Sequence, residues 1–255
     1  MATRLGPIRV RHPEGTFAPS EASRIALEAI GTHQELLHGN GIDWGSGSGC
    51  LAIATARVPA VREVTGLELS EVGVTAARAN AVVNDVSENT RFMAADSFAP
   101  ASDDDATALN SLLGNTDFLI ANPPSSEGDG FDYYRRVLRE AGEFLVDGAP
   151  VFITTSIQYG TKRVEGLAEE CPGFSYDGIL ASTDWVPFDL DRPDLMHCLE
   201  LYAREEERGG PKYEFGGIEG GVTGMTDART ALAEFQRSRR RPLTKWLTYL
   251  FVRRL

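Results

Sequence analysis

The chain has 255 residues, 42% of them hydrophobic, and carries 25 basic against 37 acidic side chains, a net charge of −12. This length supports one sizeable core, and the acidity argues against a broad surface for nucleic-acid phosphates. No apolar run reaches the ~18 residues of a membrane span. The start lacks a signal-peptide pattern, and Cys50, Cys171 and Cys198 show no C-x-x-C spacing, so a cytoplasmic protein without metal or membrane contact is expected.

Residues 4–16, polar and broken by Pro7, Pro13 and Gly15, read as an arm or lid. Phe17 and Pro19 fall in an entry loop before a helix over 22–30, for which Ser20 is the N-cap. A short apolar strand then carries Asp43 into a turn holding Gly45, Ser46, Gly47 and Gly49, and a helix over 51–58 follows. Glycines at alternate positions let the backbone turn sharply and bring its amides close to a ligand. The third glycine comes one residue early for a dinucleotide fingerprint, with Cys50 in its slot, which disfavours a nicotinamide cofactor. The next strand, from Val64, ends at Glu68, with Leu69 after it; Glu68 lies 19 positions after Gly49. A carboxylate there, at the end of the neighbouring strand, is placed to accept two ribose hydroxyl protons.

A helix over 71–83 leads to a strand over 91–96 that ends at Asp96 and Ser97, and Asp103 to Asp105 read as a solvated acidic turn. The apolar strand 117–121 runs into Asn122, Pro123, Pro124 and Ser125. Consecutive prolines forbid helix and fix the turn just past the strand's carboxyl end, the edge where open α/β sheets bind ligands. Tyr133 and Tyr134 open a helix over 132–145, about 100° apart, so only one readily faces a site. A strand over 151–156, a helix over 162–170 and strands over 175–182 and 196–202 complete the alternation. Between those last strands a loop over 183–195, with Trp185 and Phe188, reads as a substrate lid. Glycines from 216 to 224 read as a mobile linker before helices over 227–240 and 243–252, and residues 227–255 hold eight Arg and Lys against two acids.

This βαβ alternation predicts a doubly wound, mostly parallel seven-stranded α/β sheet with helices on both faces and a C-terminal helical extension. The expected division is an N-terminal arm and entry helix at 1–40, a central domain at 41–205, and a linker with basic helices at 206–255.

The acid-x-G-x-G-x-G pattern from Asp43 to Gly49, Glu68, Asn80, Asp96 with Ser97, and Asn122-Pro123-Pro124, taken in that order, resemble the class I S-adenosylmethionine (SAM) methyltransferases, and among them the HemK-type group that methylates glutamine amides. The likeness extends over about 15–157. It implies a Rossmann-like fold and SAM as cofactor, held among Phe17, Pro19, Asp43, Gly45, Ser46, Gly47, Gly49, Glu68, Leu69, Asp96, Ser97 and Asn122. It also implies that the Asn122 side chain and the Pro123 carbonyl orient an acceptor nitrogen, with Asp96 near the adenine amino group. Ser125, Tyr133, Tyr134, Trp185 and Phe188 are the expected acceptor side.

Two departures bear on the acceptor: Ser125 stands where that group has an aromatic residue, and the stretch before the first strand is too short for its helical recognition domain. With the acidic body, these favour a small-molecule acceptor in a biosynthetic pathway. Protein-glutamine or RNA nitrogen methylation is the alternative, and a non-methylating reaction alongside a partner subunit is a third reading. The basic tail either packs on the body or docks RNA or another subunit as a homo- or hetero-oligomer.

Overall fold

A computed structural model describes residues 3–16, 18–124, 130–221 and 223–255. The chain runs through α1 (Glu21–Thr32), β1 (Gly39–Trp44), α2 (Cys50–Thr55), β2 (Val61–Glu68), α3 (Glu71–Val83), β3 (Thr90–Asp96), β4 (Ala99–Pro100), α4 (Asp103–Asn110) and β5 (Phe118–Ala121). It continues with α5 (Asp132–Ala141), β6 (Pro150–Ser156), α6 (Thr161–Glu170), β7 (Phe174–Ser182), β8 (Val186–Pro187) and α7 (Pro193–Glu207). The last elements are β9 (Phe215–Gly217), β10 (Thr223–Thr226), α8 (Ala228–Ser238), β11 (Leu243–Thr244) and β12 (Trp246–Arg253).

The main sheet has the order β4-β3-β2-β1-β5-β6-β12-β7. Strands β1, β2, β3, β5 and β6 are parallel, and β12 runs antiparallel to both of its neighbours. The expected seven strands become eight because the two-residue β4 pairs with the end of β3. Side chains alternate between two apolar layers, as the two-residue period of a strand requires. On β5, Phe118 and Ile120 join the layer with α1 and α2, whereas Leu119 and Ala121 join the layer with α5 and α6. Gly41 is needed where β1 and β5 meet, because a Cβ there would fall 2.0 Å from the Phe118 ring.

Four expectations are corrected. The segment 243–252 is strand, not helix: Leu247, Tyr249 and Phe251 enter one layer and Leu250 and Val252 the other. A strand buried on both faces reads as a continuous apolar run without alternation. Within 206–255, β12 enters the main sheet between β6 and the edge strand β7. The strand expected at 196–202 lies inside helix α7, whose Pro193 occupies the first turn. The acidic residues 103–105 form the first turn of α4, capped by Ser102, whose hydroxyl accepts from the Asp105 amide at 3.2 Å; acids there complement the helix dipole. The glycine-rich stretch 216–224 overlaps the paired strands β9 and β10 at its two ends. Among the described residues no helix is long and apolar enough to cross a membrane, and no cluster of metal-ligating side chains occurs.

Candidate active site

Beyond the carboxyl end of β1, Gly45, Gly47 and Gly49 all take left-handed backbone angles, with φ of 69°, 54° and 83°. At Gly49 the restriction is double, since a Cβ would lie 3.0 Å from Ala77 Cβ and from Phe92 Cζ. The turn is fastened to β2: the Gly45 and Ser46 amides both donate to the Leu67 carbonyl at 2.9 Å, and the Gly47 amide donates to Glu68 Oε2 at 2.8 Å. The other Glu68 oxygen accepts from the Ser70 amide at 2.9 Å. Glu68 is thus oriented by backbone donors at the lip of the turn, with its carboxylate on a cavity.

Asp43 is 1% exposed. Its Oδ2 accepts from the Ala52 amide at 2.9 Å, while Oδ1 has no hydrogen-bond partner among the described residues. Burial pushes its carboxyl up to about 8, opposed by the Ala52 bond and reinforced by the nearby Glu68 charge. A buried carboxyl with an orphan oxygen on a cavity wall is suited to an incoming cationic donor. The Ser46 hydroxyl, also buried and without a partner among the described residues, adds a second polar atom to the same wall.

At the end of β3, Asp96 Oδ1 accepts from Arg136 of α5 at 2.6 Å, and Arg136 also bonds Glu140 at 2.9 Å. Ser97 adopts a positive φ of 59° and its hydroxyl accepts from the Trp44 indole N–H at 2.7 Å, which locks the turn. Leu69 is 73% exposed, an apolar side chain presented at the cavity rim.

These groups line one cavity of about 550 Å³, within the ~300–1,000 Å³ usual for small-molecule and cofactor sites. Pro19, Asp43, Gly45, Ser46, Gly47, Glu68, Leu69, Asp96, Ser97, Asn122, Pro123, Tyr133, Tyr134 and Phe188 all reach it. Gly49 packs behind the turn against α3. Phe17 and Ser125 lie outside the described residues. Both tyrosines touch the cavity, in different ways: Tyr134 is buried with its hydroxyl donating to Thr155 Oγ1 at 2.8 Å, while Tyr133 is exposed beside Trp44, ring centroids 6.2 Å apart. Burial raises the Tyr134 pKa, so it is a neutral donor. Trp185 is not on the cavity; its ring covers Gly216, and Lys245 Nζ sits 4.9 Å from the ring centre.

Several lining residues escaped the sequence reading. Thr154, Thr155 and Ser156 come from the carboxyl end of β6, Tyr159 from the turn after it, and Trp246 from the start of β12. From α7 and its N-cap, Arg192, Asp194 and Leu195 fall inside the expected lid, whereas His197, Cys198 and Tyr202 were not expected. Pro193 followed by Asp194 is a helix-start signal that would have placed α7.

The family model described as "Methyltransferase small domain" matches residues 8–171. A release factor glutamine methyltransferase of Thermodesulfovibrio yellowstonii is 24% identical over 63% of this chain and 63% of that protein. One of Vibrio cholerae is 30% identical over 68% of this chain and 64% of that protein. A ribosomal protein L11 methyltransferase of Bacillus velezensis is 32% identical over 57% of this chain and 40% of that protein. The chain spans 63%, 42% and 26% of the length of three release factor glutamine methyltransferases that it matches. Among solved structures, the ribosomal protein L11 methylase of Lactobacillus delbrueckii aligns with a TM-score of 0.52 and 15% identity, over 92% of this chain and 80% of that one. The T. thermophilus 16S rRNA N2 methyltransferase in complex with AdoMet and guanosine aligns with a TM-score of 0.51 and 22% identity, over 66% of this chain and 43% of that one. The chain belongs to the methyltransferase small domain family.

Proposed function

We propose that the chain methylates a nitrogen of a side-chain amide presented by a protein. The observation that carries this reading is the placement of Asn122, Pro123 and Pro124 at the end of β5, on the same cavity as Glu68 and the glycine turn. SAM supplies an electrophilic methyl group on a sulfonium, so no covalent protein nucleophile is required. Asp43 with its orphan Oδ1 receives the ammonium of the methionine part, Glu68 the ribose hydroxyls, and Leu69, Asp96 and Ser97 the adenine. The amide oxygen of Asn122 and the Pro123 carbonyl accept the two protons of the acceptor nitrogen, aiming its lone pair along the line of displacement. The surrounding aromatic rings exclude water. The transfer moves one methyl from sulfur to nitrogen, leaves a neutral thioether, and passes one nitrogen-bound proton to solvent.

The small-molecule acceptor expected from the acidic composition has less support than this one. The relatives named above are, by name, methyltransferases of release factors and of a ribosomal protein. The net charge of −12 favours a protein acceptor over RNA. The test is transfer of labelled methyl from SAM into an extract of the source cells, separated into protein, RNA and small-molecule fractions. Label in the protein fraction, recovered as an N-methylated amide side chain after enzymatic digestion or as methylamine after acid hydrolysis, is the expected result. Label confined to RNA or to small molecules would overturn the protein acceptor.

A further inference from the structure

Strands β7 and β12 are antiparallel neighbours, with Leu247 opposite Ser182. Such a pair needs no more than a tight hairpin, yet residues 183–245 intervene. The whole intervening segment lies beyond the 8–171 matched by the family model. It is folded: β8 pairs with β11 at its base, β9 pairs with β10, and α7 packs along α8. Its apolar residues, among them Phe215, Ala231 and Phe235, belong to the same core layer as β6 and α5. A long connection with its own structure over a cleft is more than a link between strands.

The cavity has two halves of different origin. The glycine turn, Glu68 and Asp96, at the ends of β1, β2 and β3, build one half. The ends of β6 and β12, together with the inserted segment, build the other. From the insertion, Phe188 and Tyr202 are 2% and 3% exposed, and on α7 Leu195, Cys198 and Tyr202 fall on one helical stripe toward the cavity. The Tyr202 and Tyr159 hydroxyls are hydrogen-bonded at 2.9 Å, which ties α7 to the turn that follows β6. The deep walls of this half are neutral rings and hydroxyls; Arg192 and Asp194 pair with each other at 2.7 Å nearer the solvent.

We infer that residues 183–245 are the acceptor-selecting cap of this enzyme, with Phe188, Leu195 and Tyr202 as specificity-determining walls that admit a neutral planar group at the end of a protein side chain. The inference rests on the proposed protein acceptor.

The test uses the full chain, labelled SAM and the protein fraction of source-cell extract, with SAM affinity measured by calorimetry on the same samples. Leu195→Trp fills the acceptor half without opening the core; Tyr202→Ala widens it, and Tyr202→Phe keeps the ring. Leu195→Trp and Tyr202→Ala are expected to lower protein labelling at least about tenfold through KM for the acceptor, with SAM affinity held within about twofold. Tyr202→Phe should recover most of the labelling lost in Tyr202→Ala. Unchanged labelling in Leu195→Trp, or SAM affinity falling in step with labelling, overturns the cap as an acceptor selector while the methyl-transfer reading stands. A wild-type chain that labels no protein overturns that reading and this inference with it.

Discussion

The side chain of Asn80 on α3 is hydrogen-bonded to the glycine turn through Ser48: its Nδ2 donates to the Ser48 carbonyl at 2.9 Å and to the Arg11 carbonyl at 2.8 Å. Its Oδ1 accepts from the Arg11 amide at 2.9 Å. One buried amide therefore joins the N-terminal arm to the glycine turn. Asn84, a helical turn later, clamps the arm at Arg9 with bonds of 3.0 and 2.6 Å and does not touch the glycine turn.

Asn80→Ala leaves buried backbone groups unpaired, a loss of about 1–3 kcal/mol, and should also weaken SAM binding several-fold. Asn84→Ala should lower stability by a similar amount and leave SAM affinity near the wild-type value. Urea denaturation and calorimetric titration with SAM separate the two effects. Equal loss of SAM affinity in both variants would show that arm docking, not the Ser48 bond, sets the turn.

Asp43 gives a pH signature. Its folded-state carboxyl is raised to about 8 from an ordinary 3.8, so between those values the folded chain keeps a proton that the unfolded chain has released. Stability from this group is complete below about pH 4, falls as pH rises, and levels off above about pH 8. Asp43→Asn removes that dependence. The variant's melting temperature relative to wild type should climb from pH 4 to pH 8 in the absence of SAM, while its SAM affinity drops. A constant difference in melting temperature over that range would contradict the buried, neutral carboxyl.

The glycines of the turn are not equivalent. Gly45→Ala meets open space and bears only the left-handed backbone strain, about 1–2 kcal/mol. Gly49→Ala adds contact with Ala77 and Phe92 to the same strain and should be the more destabilising of the two by urea midpoint.

The terminal segment is tested by Phe251→Ala. Phe251 is 0% exposed on β12, and its truncation should cost about 3–5 kcal/mol through the cavity it leaves. A docked surface helix at 243–252 would lose far less, so a drop under about 1 kcal/mol would contradict a strand buried on both faces.

The turns and strand ends that line the first half of the cavity were legible because their signals are local. The glycines, Glu68 and the Asn122-Pro123-Pro124 turn each declare a backbone conformation or strand end within a few residues, and the crossover helices repeat in step with the strands. The opposite half was legible in Phe188 and the loop 183–195 but not in β6, β12 or the body of α7, whose residues meet only through tertiary packing. The run from Trp246 to Val252 has no period to tell strand from helix until both its faces are buried. Residues 196–202 carry enough apolar side chains for a strand, and only the Pro193 start decides for α7. Trp185 was expected on the acceptor by its type and neighbourhood, yet the bare backbone of Gly216 offers its ring a surface away from the cavity.

The most direct measurement compares Asn122→Ala with the wild-type chain for both SAM affinity and the rate of labelled methyl transfer into the protein fraction at saturating SAM. Orientation of the acceptor nitrogen by Asn122 predicts a SAM dissociation constant within a few-fold of wild type and a transfer rate lower by roughly 10²-fold or more. Transfer at the wild-type rate, or a loss fully recovered by raising SAM, would contradict an acceptor held at Asn122.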